Sequence, residues 1–243
     1  MSIQILNVGG SIISPGGLSA IFIEELLATL KTWLKLEKDR QLIIVIGGGD
    51  IARNYQNTYK KLADMPSNDA TDWIGIAATR LNSELMYQLV GEWCKEPIVT
   101  NPDKAPGNIT GRFLLATGWK PGFSTDYIAV LLAQKYKLDQ IIKLSNIEKV
   151  YTADPKKDSC AKPLDYLSWD RYAKMSNDIW IPGNNVPFDP VATKHAAQAG
   201  IRAIISSGKN LRNLLNILDG LPFIGTTLGC NENKNENGDK NET

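Results

Sequence analysis

Two glycine-rich turns carry the most specific chemistry in this chain. Gly9-Gly10-Ser11 follows the apolar run 3–8, and Gly47-Gly48-Gly49-Asp50 follows the apolar run 41–46, each just ahead of a helical pattern. Glycine has no Cβ, so the backbone can approach a ligand closely, and the N–H groups opening the next helix favour an anion there. Two such turns in one α/β domain could hold two phosphorylated groups facing each other. Neither has the spacing of a P-loop or of a dinucleotide-binding Gly-x-Gly-x-x-Gly fingerprint, which excludes both. Arg53, four residues beyond the second turn, offers phosphate oxygens a planar, multi-donor fork.

These turns need strands behind them and helices in front. Apolar runs at 3–8, 41–46, 97–99, 112–116, 139–144 and 201–206 read as strands, and amphipathic stretches at 17–36, 50–63, 72–93, 124–136, 189–199 and 209–219 read as helices. That alternation predicts a three-layer α/β/α sandwich around a mainly parallel sheet, with ligands at the carboxyl ends of its strands, where both turns lie. Ser124, Thr125 and Asp126 suit the N-cap region of a helix. Residues 152–166 and 181–187 are polar or proline-containing and irregular. The expected domain is 1–229, followed by a tail, 230–243, too polar to bury a core and expected to be disordered.

Composition narrows the partners. At 243 residues, 43% hydrophobic and 22% charged, the chain can bury a sizeable core. Its 27 basic residues balance 26 acidic ones, so bulk charge points to neither nucleic acid nor an anionic membrane surface, and phosphate binding must be local. No apolar run approaches membrane-spanning length. The chain opens on a strand pattern rather than a leader, and Cys94, Cys160 and Cys230 form neither a disulfide framework nor a metal-ligand spacing. A cytoplasmic location is the expectation.

Further segments recur in a recognisable order over about residues 3 to 228. They are Gly47-Gly48-Gly49-Asp50-Ile51-Ala52-Arg53, the stretch from Asp72 through Gly75, Ala78 and Thr79 to Asn82, Pro121-Gly122-Phe123-Ser124-Thr125-Asp126, and Lys143 through Tyr151-Thr152-Ala153-Asp154-Pro155. Asp189-Pro190-Val191-Ala192 and Gly225-Thr226-Thr227-Leu228 follow. Together with the first turn they resemble the amino-acid kinase family, and within it the uridylate kinases. The resemblance implies an enzyme of pyrimidine nucleotide biosynthesis that transfers the γ-phosphoryl of ATP to UMP with Mg²⁺. It also implies a homo-oligomer, hexameric or built from dimers, with the 72–93 region at an interface.

The resemblance further implies a division of labour. Gly9, Gly10 and Ser11 would cradle the β- and γ-phosphates of ATP, Gly48 and Gly49 would lie between acceptor and donor phosphates, and Arg53 would reach phosphate oxygens. Asp72 would orient the acceptor nucleotide, and Pro121, Gly122, Phe123, Ser124, Thr125 and Asp126 would close over UMP. Ser145, Tyr151 and Asp154 would hold the adenine and ribose of ATP. Positioning and charge neutralisation would supply most of the catalysis, since an attacking phosphate oxygen is already anionic. Gly10, Ser11, Arg53, Asp126 and Lys143 are the catalytic candidates. Asp126 and Asp189 are the acidic candidates for organising cations or Mg²⁺, and no ligand set for the metal follows.

Asn7 departs from the family pattern, which commonly places a lysine there, and Lys143 and Arg53 are the candidates to compensate. Glu148-Lys149 replaces an Asp-Gly pair, so Lys149 is expected to alter the local turn. Several groups also have a purely structural reading: Arg53 and Arg80 as surface residues, the Ser124 to Asp126 run as a helix cap, Tyr151 as packing. His195 reads as a surface or core residue, and the chain lacks the early histidine of the isopentenyl phosphate kinases. Two other functions stay open, a carboxylate kinase of the same fold and a non-catalytic nucleotide-binding or storage protein. The Asp72 and Pro121 segments argue against the first; Asn7 and Lys149 keep the second alive.

Overall fold

A computed structural model of the chain describes residues 2–14, 16–155, 157–176 and 187–230. The polar tail from 231 onward and all but the last residue of the 181–187 segment lie outside the described residues. In chain order the elements are β1 (Ser2–Val8), α1 (Gly10–Ile13), α2 (Ala20–Leu36), β2 (Arg40–Ile46), α3 (Gly49–Leu62), α4 (Asn68–Val90), β3 (Phe113–Ala116), α5 (Thr125–Lys135) and β4 (Gln140–Ser145). Then come β5 (Val150–Tyr151), β6 (Pro163–Leu164), β7 (Tyr166–Ser168), α6 (Trp169–Ser176), α7 (Pro190–Ala199), β8 (Arg202–Ser207), α8 (Leu211–Leu218) and β9 (Thr226–Gly229).

Seven strands form one sheet in the order β3-β2-β1-β4-β8-β9-β7, parallel throughout except where β9 runs against β8. Strand alternation sorts the core into two layers. Ile5, Ile43, Val45 and Ile141 pack under α5 and α7, whereas Leu6, Val8, Ile44 and Leu144 pack under α2 and α8. Burial on both faces is why β2 reads as an unbroken apolar run. Side-chain caps start the helices where the chain must turn: Ser19 on α2, Ser67 on α4, Ser124 on α5, Asp189 on α7 and Asn210 on α8.

Two expectations need correction. The 97–99 run is a single bridge from Val99 to Ala116, because Pro97 has no N–H with which to extend a ladder. The 72–93 helix starts earlier, behind the Ser67 cap, and ends at Gly91, whose φ of 55° leads into a separate 3₁₀ turn. The short elements β7, α6 and β9 carried too little periodicity to be read.

Candidate active site

Register brings the glycine turns together. Val8 pairs with Ile46 on one side and Leu144 on the other, so Gly9, Gly47 and Ser145 leave the sheet at one level of its carboxyl edge. The turns then pack backbone to backbone. A Cβ on Gly10 would lie 2.5 Å from Gly49 Cα and closer still to its amide nitrogen, and a Cβ on Gly47 would lie 2.5 Å from the Gly10 nitrogen. Gly49 itself sits at φ +67°, a conformation that disfavours a side chain.

Helix α4 holds the second turn from outside. Asn82 Nδ2 donates to the carbonyls of Gly47 and Gly48 at 2.8 and 3.2 Å. Thr79 Oγ1 accepts from the Gly118 amide at 3.0 Å, and Asp72 Oδ2 accepts from the Gly122 amide at 2.7 Å. Asp72, Gly75, Thr79 and Asn82 therefore share one helical face; that spacing was legible in the sequence, although only Asp72 had been given a role. Burial raises the pKa of Asp72, partly opposed by the Gly122 amide.

Asp50, at the head of α3, takes the Arg53 Nε and Nη2 on Oδ1 at 3.0 and 2.5 Å, and the Gly16 amide on Oδ2. The Gly16 amide and the Arg53 guanidinium hold its carboxyl below the usual range. Arg53 is thus aimed by a carboxylate and half-exposed, with three further N–H groups for a phosphate. Arg80 lies on the exposed side of α4, its guanidinium 6.0 Å from the Trp73 ring, away from this cluster.

Beneath the turns lies a buried polar centre. Asn7 and Lys143 are register partners on adjacent parallel strands and point to the α5 side of the sheet. There Asp126 Oδ1 accepts from Asn7 Nδ2 at 2.5 Å and from the Lys143 ammonium, while its Oδ2 accepts from the Asp189 amide at 2.9 Å. The side chains of Lys143 and Asp126 are 13% and 6% exposed, so water screens the pair only weakly. Lys143 thereby supplies a cation one strand over from Asn7. Both Asp126 oxygens are engaged by protein donors, so this carboxylate organises the ammonium.

Asp189 caps α7, with Oδ1 accepting from Val191 N at 2.5 Å and Ala192 N at 3.2 Å. Burial pushes its pKa from 3.8 up to about 6; the Ser124 hydroxyl opposes this and the Asp126 charge adds to it. The folded state therefore holds this proton more tightly than the unfolded chain. Stability contributed below pH 3.8 falls as pH rises through about 6, by on the order of 3 kcal/mol. Asp189→Asn, which keeps the cap acceptor, is expected to flatten that part of the melting-temperature profile between pH 4 and 7; an unchanged slope would assign the titration elsewhere.

The remaining candidates sit on two flaps. Phe123 stacks with Trp119 at 5.5 Å and with Tyr127 at 4.6 Å, and Lys120 lies 4.0 Å over the Trp119 ring, so Phe123 shapes the 121–126 loop. Ser124 caps α5 by accepting from Tyr127 N at 3.2 Å, and Thr125 opens the helix. His195 contacts the Tyr127 ring and Gln134 Oε1, outside the buried centre. Ser145, Tyr151 and Asp154 follow one another through the end of β4 and the β5–β6 hairpin. Thr226, from the late Gly-Thr-Thr segment, pins that hairpin to the sheet by accepting from Val150 N at 2.8 Å and donating to Leu164 O at 2.5 Å. Lys149 keeps an ordinary negative φ and pairs with Asp165, so the lost glycine costs no backbone strain.

Residues 2–207 match the model of the amino acid kinase family. The chain is 31% identical over 225 residues to the uridylate kinase of Archaeoglobus fulgidus, covering 92% of this chain and 98% of that protein. It is 30% identical over 219 residues to that of Thermococcus sibiricus, covering 89% and 95%. The crystal structure of the Archaeoglobus fulgidus uridylate kinase superposes with a TM-score of 0.78 at 30% identity, over 94% of this chain and all of that one. The UMP kinase of Bacillus anthracis superposes with a TM-score of 0.74 at 19% identity, over 94% and 96%, a likeness of fold.

Proposed function

The chain belongs to the amino acid kinase family, and we propose that it acts there as a uridylate kinase, transferring the γ-phosphoryl of ATP to UMP to give UDP and ADP. The observation that carries the reading is the abutment of the two glycine turns directly above the Lys143–Asp126 pair. Such an arrangement suits two phosphates brought end to end over a buried cation.

Each group then has a task. Amides of Gly9, Gly10 and Ser11 would bind the β- and γ-phosphates of ATP, and those of Gly48 and Gly49 the space between donor and acceptor. Arg53, oriented by Asp50, would take the UMP phosphate. The Lys143 ammonium would meet the negative charge on the transferring group, where preorganised charge in a water-poor site lowers the barrier most. Asp72 and the 121–126 loop, joined through the Gly122 amide, would enclose UMP as one unit. The hairpin bearing Tyr151 and Asp154 would take the nucleoside of ATP. Among the described residues no three His, Cys, Asp or Glu side chains converge as a metal site. Mg²⁺ would be held mainly by the nucleotide phosphates, whose negative charge it would offset. A carboxylate kinase is disfavoured by the Asp72–Gly122 link, which builds a nucleotide-type acceptor loop.

No helix among the described residues is long and apolar enough to cross a membrane, which accords with a cytoplasmic enzyme. A homo-oligomer built from dimers is supported by apolar side chains exposed along α3 and α4: Tyr55, Leu62, Trp73 and Leu81. Light scattering should give a multiple of the 26.8 kDa chain mass, reduced by Leu81→Glu; a monomer would remove this element.

The test of the reading is incubation with ATP, Mg²⁺ and each nucleoside monophosphate in turn, with the diphosphate quantified. Selective UDP formation is expected. Tight UMP and ATP binding with no diphosphate would instead favour a nucleotide-binding protein that has lost transfer chemistry.

A further inference from the structure

A buried run of hydrogen bonds leads into the Asp126 centre from α6. Tyr172 is 1% exposed, and its hydroxyl grips both backbone groups of Phe188, accepting from the amide at 2.6 Å and donating to the carbonyl at 2.9 Å. The next residue, Asp189, gives its own amide to Asp126 Oδ2, and Asp126 Oδ1 holds Lys143. Phe188 is fully buried against Trp169, and its ring lies 6.0 Å from the Lys143 ammonium. With both polar groups of Phe188 fixed, the orientation of the Asp189 amide is fixed too. Burial raises the Tyr172 pKa, and the Asp126 and Asp189 charges add to the rise, so the hydroxyl keeps the proton its bond to the Phe188 carbonyl needs.

Resting on the reading of Lys143 as the transfer-site cation, we propose that Tyr172 is a positioning residue, fixing the Asp126 carboxylate and hence the Lys143 ammonium through the Phe188–Asp189 backbone. Small displacements of a charge at a reacting group cost rate steeply, so the loss of one remote hydroxyl should be read in turnover. Tyr136 supplies the control. It sits at the C-terminal end of α5, opposite the end that carries Asp126, and its hydroxyl donates to the Pro106 carbonyl at 2.6 Å, a bond that does not lead to Asp126.

The experiment compares Tyr172→Phe, Tyr136→Phe and the unaltered protein in two ways, well below their melting temperatures. One readout is kcat and KM for ATP and UMP; the other is the rate at which trace acetic anhydride acetylates Lys143, followed by mass spectrometry. Tyr172→Phe is expected to lower kcat about tenfold with both KM values within about twofold, and to raise Lys143 labelling several-fold. Tyr136→Phe, which removes the same group, should lower the melting temperature yet change neither readout. Unchanged kcat and labelling in Tyr172→Phe, or equal changes in both variants, would overturn the proposal. An unaltered protein that makes no UDP would sink the kinase reading instead, while the labelling comparison still decides whether Tyr172 governs Lys143.

Discussion

Replacing Lys143 by alanine is expected to lower kcat for UDP formation by about 10²–10³-fold while leaving the KM values for UMP and ATP within a few-fold of the unaltered protein. Asn7 brings no charge to the buried centre, and Lys143 is the cation paired with Asp126 there. Removing it also leaves a carboxylate that is 4% exposed without its partner, at a cost on the order of 3 kcal/mol in stability. Kinetics should therefore be taken well below the lowered melting temperature. The companion variant is more diagnostic. Because Asn7 and Lys143 are register partners on one face of the sheet, adding Asn7→Lys to Lys143→Ala should return tenfold or more of the lost turnover. Turnover in Lys143→Ala within about threefold of the unaltered enzyme would move the transfer-site charge to Arg53.

Gly10→Ala is expected to abolish measurable UDP formation and to lower the melting temperature by about 6–12 °C. The new methyl group would overlap the Gly49 backbone, and neither turn can retreat without pulling its strand out of register. Overpacking of this kind costs about 1–3 kcal/mol where side chains can yield; here the obstacle is backbone, which places the loss at the upper end. Gly49→Ala should be at least as severe, because an alanine at φ +67° adds about 1–2 kcal/mol of strain. Gly107→Ala is the control, since a Cβ there would meet nothing within 4 Å. Calorimetry and UDP assays on the three variants decide the matter: near-normal turnover in Gly10→Ala would show that the turns do not have to touch.

Much of the fold was legible because its signals are local. The runs that became β1, β2 and β4 are apolar on both faces, as strands buried between two helical layers must be. Ser124 accepts an amide from the helix it opens, as residue type and position announced, whereas the Ser67 cap was passed over and Asp189, read as an acidic candidate for a cation, caps α7. The 97–99 run misled because a short apolar stretch is ambiguous when a proline limits its pairing. The change at Lys149 was expected to reshape a turn, yet its φ stays ordinary and its side chain finds Asp165, a partner that the local sequence does not suggest.

What the sequence determined by itself was the alternation of strands and helices and the two glycine turns at strand ends, because backbone preference and periodicity are properties of neighbouring residues. Only the tertiary structure decided that Lys143 stands beside Asn7, that Asp126 holds an ammonium instead of a free cation site, and that Tyr172 on a short, weakly patterned helix reaches the same carboxylate. Those relations come from strand order, parallel register and the face to which alternate side chains point. They are set by which surfaces bury each other, and residues far apart in the chain carry no local mark of such a pairing.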